Sequence, residues 1–534
     1  MQRLAFLVSL LLSITGTNAT TFYVDNSCPV NGNGLTKHCG ENGPWNSLKK
    51  AAECKDVNPG DTIEIRAGKG VYNEGWSWQP KCIGTPEKHI TIQNYPLEDF
   101  VMEGTLNIKN SAWRAIGNGI YLCEGGTCGT EKKFPFTAWY DRGNGEERLD
   151  LIQSNQTCDT SLPAGQMRYS DGRVCAHLSD DSNPADAKYF KIPYVYVAIQ
   201  LNLVRASYVT FRKNPKGGNF IIRRFRDSGI TTTTIDRGID YEGLDIGWVM
   251  DRCIDQTEGG VVPAGYRFIN NRIHHCGQEG IRWSQDSSPR GLVEGNEVYE
   301  IQTQPFFERC KKNCLPGFND KGCAIRVAGN QNGRIRRNIV HDIGGGLTGR
   351  SSGIDLEEGA INTVVENNYL YRMNKGDIPA WHTSIAILLQ TVGAEPYNAI
   401  VRNNHVYQSD HCFSIDAGKT LPESSTILFS HNTCQDPRDS GIVTGMSNPT
   451  INAKITSTNN IFSADETSPR ALIDLPNDRR ISGFQTPENN IFQCVQCTKL
   501  VNWGRKSFKA CNIKKLGHGN QLAQSGPMSE EECP

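Results

Sequence analysis

From about residue 265 onward, apolar positions fall in two short phrases that return together. The first is an Asn, a variable residue, an apolar residue and then often an aromatic ring or His. It reads NNRIHH at 270, GNEVYE at 295, RNIVHD at 337, NNYLYR at 367, NNHVYQ at 403, HNTCQD at 431, NNIFSA at 459 and NNIFQC at 489. Aligning Asn271, Asn296, Asn338, Asn368, Asn404, Asn432, Asn459 and Asn489 gives spacings of 25, 42, 30, 36, 28, 27 and 30 residues. The longest interval holds a Cys-rich loop, CKKNCLPGFNDKGC, at 310 to 323. The second phrase alternates with a period of two: GIRWSQ, CAIRVAG, GIDLEEG, SIAILLQ, CFSIDAG and GIVTGMS. Both are strand-like in period and length. No unit contains an apolar pattern long enough for a helix, which disfavours leucine-rich, ankyrin and tetratricopeptide arrays. Self-similarity at about 20 to 50 residues marks a solenoid. The pattern therefore predicts an all-β parallel helix of stacked rungs, with the recurrent Asn forming an internal ladder of side-chain amides.

The earlier part fits the same plan. TFYVDNS is a strand, and GPWNSLKKAAECK predicts a short amphipathic helix able to cap the open end of the solenoid. HITIQNY, YVYVAIQLN, YVTFRK and NFIIRRF supply early rungs. Residues 113–190 hold four cysteines and many Gly and Asp, and predict an irregular, disulfide-tied excursion. The β-helix is expected over 20–505, with 506–534 as a C-terminal cap. The run FYVDNS, GPWNSLKKA, VNPGDTIEIRAG and VYNE, followed by Asn-Asn-x-[Ile/Val] rungs, resembles the pectin-lyase-like superfamily. That resemblance implies a single-stranded right-handed parallel β-helix with an N-terminal helical cap. It implies no single activity, because its members include polysaccharide lyases, glycoside hydrolases, epimerases and non-catalytic surface proteins. The paired-Asp and Gly-His-Gly pattern of polygalacturonases is absent, as is the vWiDH-like strand of the best-known pectate lyases. Function has to be argued from the site.

Composition narrows the setting. MQRLAFLVSLLLSITGTNA at 1–19 has the charged start, apolar run and small-residue end of a secretory signal peptide, and no later stretch is long enough to span a bilayer. The expected location is secreted and extracellular. An oxidising compartment suits the 19 cysteines, an odd number that leaves at least one unpaired within the chain. In that setting CVQC at 494–497 and the cysteines at 310, 314 and 323 are read as disulfides rather than redox or zinc motifs. Asn155-Gln156-Thr157 is a glycosylation sequon. A net charge of -1 gives no field that would draw nucleic acid or an anionic membrane; a monomer acting on a polysaccharide is expected.

Aligning the second phrases sends Ile281 and Trp283, Ile325 and Val327, Ile354 and Leu356, Ile385 and Ile387, and Phe413 and Ile415 inward. Alternation then turns two columns outward: Arg282, Arg326, Asp355, Ala386, Ser414, and beside it Ser284, Ala328, Glu357, Leu388, Asp416, with Gln390 adjacent. Two arginines thus meet three carboxylates, flanked by small residues, and Glu358 drops to a turn. Asp355 and Glu357 would lie roughly 6.5 to 7 Å apart, and Glu357 and Asp416, two rungs apart, about 9.5 Å. Paired carboxylates about 6.5 to 9.5 Å apart hydrolyse glycosidic bonds with inversion. Asp355, Glu357 and Asp416 are therefore the candidate catalytic residues. Arg282 and Arg326 are candidates to bind uronate or sulfate, and Gln390, Trp381 and His382 are further substrate contacts. Hydrolysis needs no cofactor. The alternatives are a Ca²⁺-dependent lyase using Arg326 or Arg282, with Lys375 the nearest lysine, and a non-catalytic binding protein in which the charges merely solvate the face. His274, His275 and His341, with Tyr299, Tyr371 and Tyr407, are read as a stacked packing column.

Overall fold

The computed structural model describes residues 19–522 except 78–81, 109–112, 125–127, 129–136, 152–157, 171–172, 196, 202–206, 233–236, 257–264, 290, 303–320, 345–349, 358–361, 374–382, 392–396, 418–420, 445–451, 465–470, 477–484, 486, 495–500, 505 and 509–519. The sequon and the loop carrying Trp381, His382 and Lys375 lie outside the described residues.

Short strands recur three to a turn and pair with their counterparts one turn on, giving three long parallel sheets of 12, 12 and 13 strands. The first sheet begins at Thr21–Val24 and runs through Ser207–Arg212 and Arg237–Glu242 to Lys454–Thr458. The second runs from Phe100–Glu103 through Glu297–Ile301 to Gln521–Leu522. The third runs from Trp76–Ser77 through Arg350–Glu357, Thr383–Thr391 and His411–Ala417 to Lys506–Phe508, the last strand antiparallel. One continuous apolar core fills the interior from Phe22 to Val501. The expected helix is short, Leu48–Ala52, N-capped by Ser47 through Lys50 N. Its Leu48, Ala51 and Ala52 enter that core.

The corner between first and second sheets explains the Asn phrase. The residue before each ladder Asn is left-handed: φ is +54° at Asn270, +56° at Arg337, +57° at Asn367, +53° at Asn403, +55° at His431, +55° at Asn459 and +52° at Asn489, with Gly295 at +66°. Asn tolerates this region better than most side chains. The following residue is the ladder. Asn271 N and Nδ2 both donate to Asn296 Oδ1 at 2.9 Å. The same pair of bonds links Asn296 to Asn338, then Asn368, Asn404, Asn432, Asn460, Asn490 and Asn520. From Asn271 to Asn490 each Nδ2 also donates to a first-sheet carbonyl, such as Val293 O from Asn338 at 3.0 Å, and Asn520 Nδ2 donates to Pro487 O. The last two expected members, Asn459 and Asn489, are instead the left-handed residues. Asn460 and Asn490 are the buried ladder amides, because only the second Asn of each pair has its side chain under the turn. The ladder also reaches Asn520, inside the segment expected to be a tail.

The excursion is not irregular. Eight strands between Thr105–Asn107 and Tyr189–Pro193 form a largely antiparallel sheet with its own core around Ala138, Tyr140, Leu149, Val174 and Phe190. Its turns depend on Gly and Asp, which the eye reads as loop, while its strands are short enough to hide between them. Cys123–Cys128 and Cys158–Cys175 tie it. Glu103 joins it to the helix. Its carboxylate, without side-chain exposure, meets Lys191 Nζ at 2.9 Å, Arg223 Nε at 2.8 Å and Arg224 at 3.5 Å. Arg224 in turn bonds Glu146 and stacks over Trp139.

Two outcomes are expected. Asn338→Ala removes donors and acceptors that nothing else replaces in a dry corner. It should lower unfolding free energy by roughly 3 kcal/mol or more, read as a lower urea midpoint at unchanged slope. For Glu103, burial alone would raise the carboxyl, but Arg224, the Lys191 hydrogen bond and Arg223 together bring it down from 4.5 to about 2. A depressed carboxylate stabilises the fold above its unfolded pKa, and that contribution is lost as pH falls through the folded one. Acid titration of stability should therefore slope between about pH 4.5 and 2 in the parent protein, and Glu103→Gln should flatten that slope.

A candidate active site on the third sheet

The third sheet turns its own corner by a device that strict alternation misses. Its ladder pairings skip one residue per rung: Glu279 pairs with Cys323 and Ile281 with Ile325, but Gly280 and Ala324 do not pair. That skipped position is small in nearly every rung, as Gly229, Cys253, Gly280, Ala324, Gly353, Ala386, Cys412 and Gly441. A Cβ on Gly280 would stand 2.7 Å from Val298 Cγ1, and one on Gly353 2.8 Å from Leu370 Cδ2. The small residue and the Ile after it therefore both face the interior. Two of the small positions are cysteines bonded across the corner, Cys253–Cys276 and Cys412–Cys434.

This corrects the expected columns. Ala386, expected outward, is a core residue, whereas Ile385, expected inward, is buried outside the core cluster. Ile387, not Ile385, pairs with Ile354, so Leu388 rather than Ala386 stands beside Asp355. The registers from Arg282 to Glu357 hold as expected. Arg282 pairs with Arg326 and Ser284 with Ala328; Arg326 pairs with Asp355 and Ala328 with Glu357. The same shift moves the next pairs: Ala386 was expected beside Ser414 and Leu388 beside Asp416, whereas Leu388 pairs with Ser414 and Gln390 with Asp416. Glu357, one step past the Leu356–Leu389 pair, is level with Gln390, so it lies two rungs from Asp416.

The site is more enclosed than an outward patch. Asp355 is 1% exposed, Glu357 4% and Asp416 8%, while Gln390 is half-buried. The same shift at the corner brings Glu279 out of the core and among the arginines, a residue that alternation alone does not single out. It is fully buried and bonds Arg252 Nε at 2.7 Å and Arg326 at 2.8 Å. Arg326 also donates through Nε to Glu357 Oε2 at 2.9 Å. Arg252 reaches Asp255 at 3.1 Å. Burial opposes the Glu279 charge, but Arg252, Arg326 and Arg282 outweigh it and hold its carboxyl low. Arg326, buried yet flanked by Glu279, Glu357 and Asp355, is pushed further up. Asp255 is raised, chiefly by burial. Arg282 differs from its neighbours: its Nε is 3.9 Å from Glu279 Oε2 and, among the described residues, makes no hydrogen bond. The sequence signal for Glu279 was available in the small-Ile pairs GI, CI, AI and GI that precede each outward column.

Cys323 pairs with Glu279 on one side and Ser352 on the other. Expected in a disulfide, it is instead a free, buried thiol, and burial, with Asp355 and Glu279 nearby, raises it well above 9. On the second sheet, His274, Tyr299, His341 and Tyr371 stack with centroids 5.2, 5.0 and 4.7 Å apart, as the packing reading expects. His275 leaves that column: at φ +53° it stacks on Trp248 at 3.8 Å and pairs with Glu300 at 2.6 Å.

A family model described as a right handed beta helix region matches residues 257–513. No curated protein matches the chain in sequence. Among solved structures the chain is similar to XylC in complex with xylose, at 13% identity and a TM-score of 0.62, over 95% of this chain and 86% of that one. It is also similar to pectate lyase Pel9A, at 12% identity and a TM-score of 0.37, over 91% and 77% of the two chains. The lacto-N-biosidase of Eubacterium ramulus follows at 12% and 0.39, over 89% and 68%. At these identities the likeness is one of fold.

Because the thiol is buried and disfavoured as thiolate, Cys323 should resist alkylation by iodoacetamide at pH 8 in the native protein and react fully in guanidinium. Peptide mass mapping of the labelled residue reads the result.

Proposed function

We propose that this chain, a right-handed parallel β-helix, is a carbohydrate-active enzyme of the pectin-lyase-like kind that hydrolyses glycosidic bonds in a polysaccharide. The observation that carries the reading is the register that brings Glu357, Gln390 and Asp416 level on adjacent rungs while Arg326 grips Glu357. At about 4.8 Å per rung the two carboxyls stand about 9.5 Å apart, the upper end of the spacing that leaves room for a sugar and an attacking water. XylC, the solved structure of similar fold, was determined with xylose, which agrees with a carbohydrate ligand.

The roles follow from surroundings. Glu357 is held in one orientation by Arg326 and serves as the base that takes a proton from water. Asp416 protonates the departing glycosidic oxygen. The water's oxygen bonds to the anomeric carbon as the glycosidic bond breaks, so one hydrolysis consumes one water and frees one reducing end. Asp355, the most buried of the three and packed between Arg326 and Leu388, supports the charge of Arg326. Gln390, between the two reacting carboxyls, offers both a donor and an acceptor to sugar hydroxyls. Arg282, whose Nε is without a hydrogen bond among the described residues, is the group that would meet a uronate carboxylate. It supports an acidic polymer as substrate. Trp381 and His382 remain proposed contacts on the loop before Thr383–Thr391.

A panel of uronic-acid and neutral polysaccharides provides the test. New reducing ends without absorbance of an unsaturated uronate are expected, and Glu357→Gln and Asp416→Asn should each cost roughly a hundredfold or more in rate while far-ultraviolet circular dichroism matches that of the parent. Unsaturated product that disappears with a chelator would establish a lyase instead. Near-parental rates in both variants would remove these residues from the chemistry.

A further inference from the structure

The outer face of the first sheet carries a cleft of about 620 Å³, within the range of about 300 to 1,000 Å³ common for small-molecule sites. Its floor is built by register. Thr91, Thr210, Asp240 and Arg267 stand on successive strands in one column. Gln93, Arg212 and Glu242 form the column beside it. Asp240 and Glu242 are two apart on one strand and so share a face, roughly 6.5 to 7 Å from each other. The turn carrying Glu87, Lys88 and His89 forms one wall.

The charges in this cleft balance. Lys88, Arg212 and Arg267 face Glu87, Asp240 and Glu242. His89 adds no charge near neutrality, because burial and Arg267 lower its pKa, and its Nδ1 is 3.0 Å from Thr210 Oγ1. A balanced set of strong donors and acceptors suits a ligand whose groups both donate and accept without net charge. Sugar hydroxyls have that character, and hydrogen bonds to charged groups are the stronger kind. Asp240 adds to the match. Burial, opposed by Arg267 and assisted by Glu242, lifts it to about 6, so near that pH its carboxyl can donate as well as accept. Among the described residues no Phe, Tyr or Trp lines the cleft, so hydroxyl contacts rather than stacking on a broad ring would hold the sugar.

We propose that this cleft is a second saccharide site, on a different sheet from the candidate catalytic carboxylates, and that it takes a neutral oligosaccharide. Such a site would let one protein hold a neutral glycan on one face while its third sheet handles an acidic one.

Isothermal titration of the full chain with cellohexaose, xylohexaose, mannohexaose and hexagalacturonate tests it. At least one neutral probe should bind. Glu242→Gln and Arg267→Ala, both at exposed positions, should weaken that binding tenfold or more with unchanged thermal unfolding, and Glu357→Gln should leave it intact. The proposal is overturned if no neutral probe binds, if both cleft variants bind like the parent, or if the cleft variants lose hexagalacturonate in preference to the neutral probe. Because Glu357 is varied separately, failure here leaves the hydrolase reading standing, and failure of that reading leaves this one.

Discussion

The structure depends on a buried turn that has to satisfy its own backbone. Where the first sheet bends into the second, the chain leaves hydrogen-bonding distance of its neighbours and water is excluded. An unpaired amide or carbonyl there would cost as much as a rung gains. One Asn per rung meets the demand: its oxygen takes the previous Asn's amide, and its nitrogen takes a carbonyl of the first sheet. The left-handed residue before it makes the turn tight enough for this to work. Because that corner admits no extra residue, all variation in repeat length is pushed elsewhere. The interval of 42 between Asn296 and Asn338 is absorbed without disturbing either amide.

The corner entering the third sheet has a different economy. Two successive side chains turn inward there, so the first of them has to be small enough to lie under Ile246, Val298, Leu370 or Phe462 of the second sheet. The reward is positional. A residue just before the corner, such as Glu279, comes back to the outer face and joins Arg252 and Arg326. Five carboxylates and three arginines are thereby packed with little water, an arrangement that hydrophobic residues of similar volume would match or exceed in stability. Such a cluster is better understood as fixing the orientation of Glu357 than as cementing the fold.

Much of this was legible in the residues. The period-two phrases and the recurrent Asn predicted parallel rungs with an amide ladder, because both rest on local rules: alternation across a strand and the need to satisfy a buried turn. Asn459 and Asn489 were placed one position early because an Asn pair offers two candidates, and only backbone conformation separates the left-handed member from the buried one. The column Arg282, Arg326, Asp355 was also readable, since these rungs share phase. Ala386 and Ile385 were not, because alternation fails at the corner, and the clue lay in a repeated small residue rather than in hydrophobicity. The excursion between 105 and 193 gave no sign of its regular sheet, since short antiparallel strands rich in Gly turns carry little period. The second left-handed column, Arg224, Trp248, His275, Glu300, Asp342, Arg372, Gln408 and Asp436, shares no side-chain type and so left no trace in composition.

The ladder also has a direction. Every Asn oxygen points toward the N-terminal neighbour and every amide hydrogen toward the C-terminal one, so the row from Asn271 to Asn520 is a file of parallel dipoles running along the axis. Each bond polarises the next, as peptide groups do in an α-helix, though here the aligned amides belong to side chains separated by whole turns of chain. The ladder therefore has two electrically unlike ends: one inside the solenoid, where Asn271 Oδ1 accepts from the Leu244 backbone, and one at Asn520, the last amide of the row.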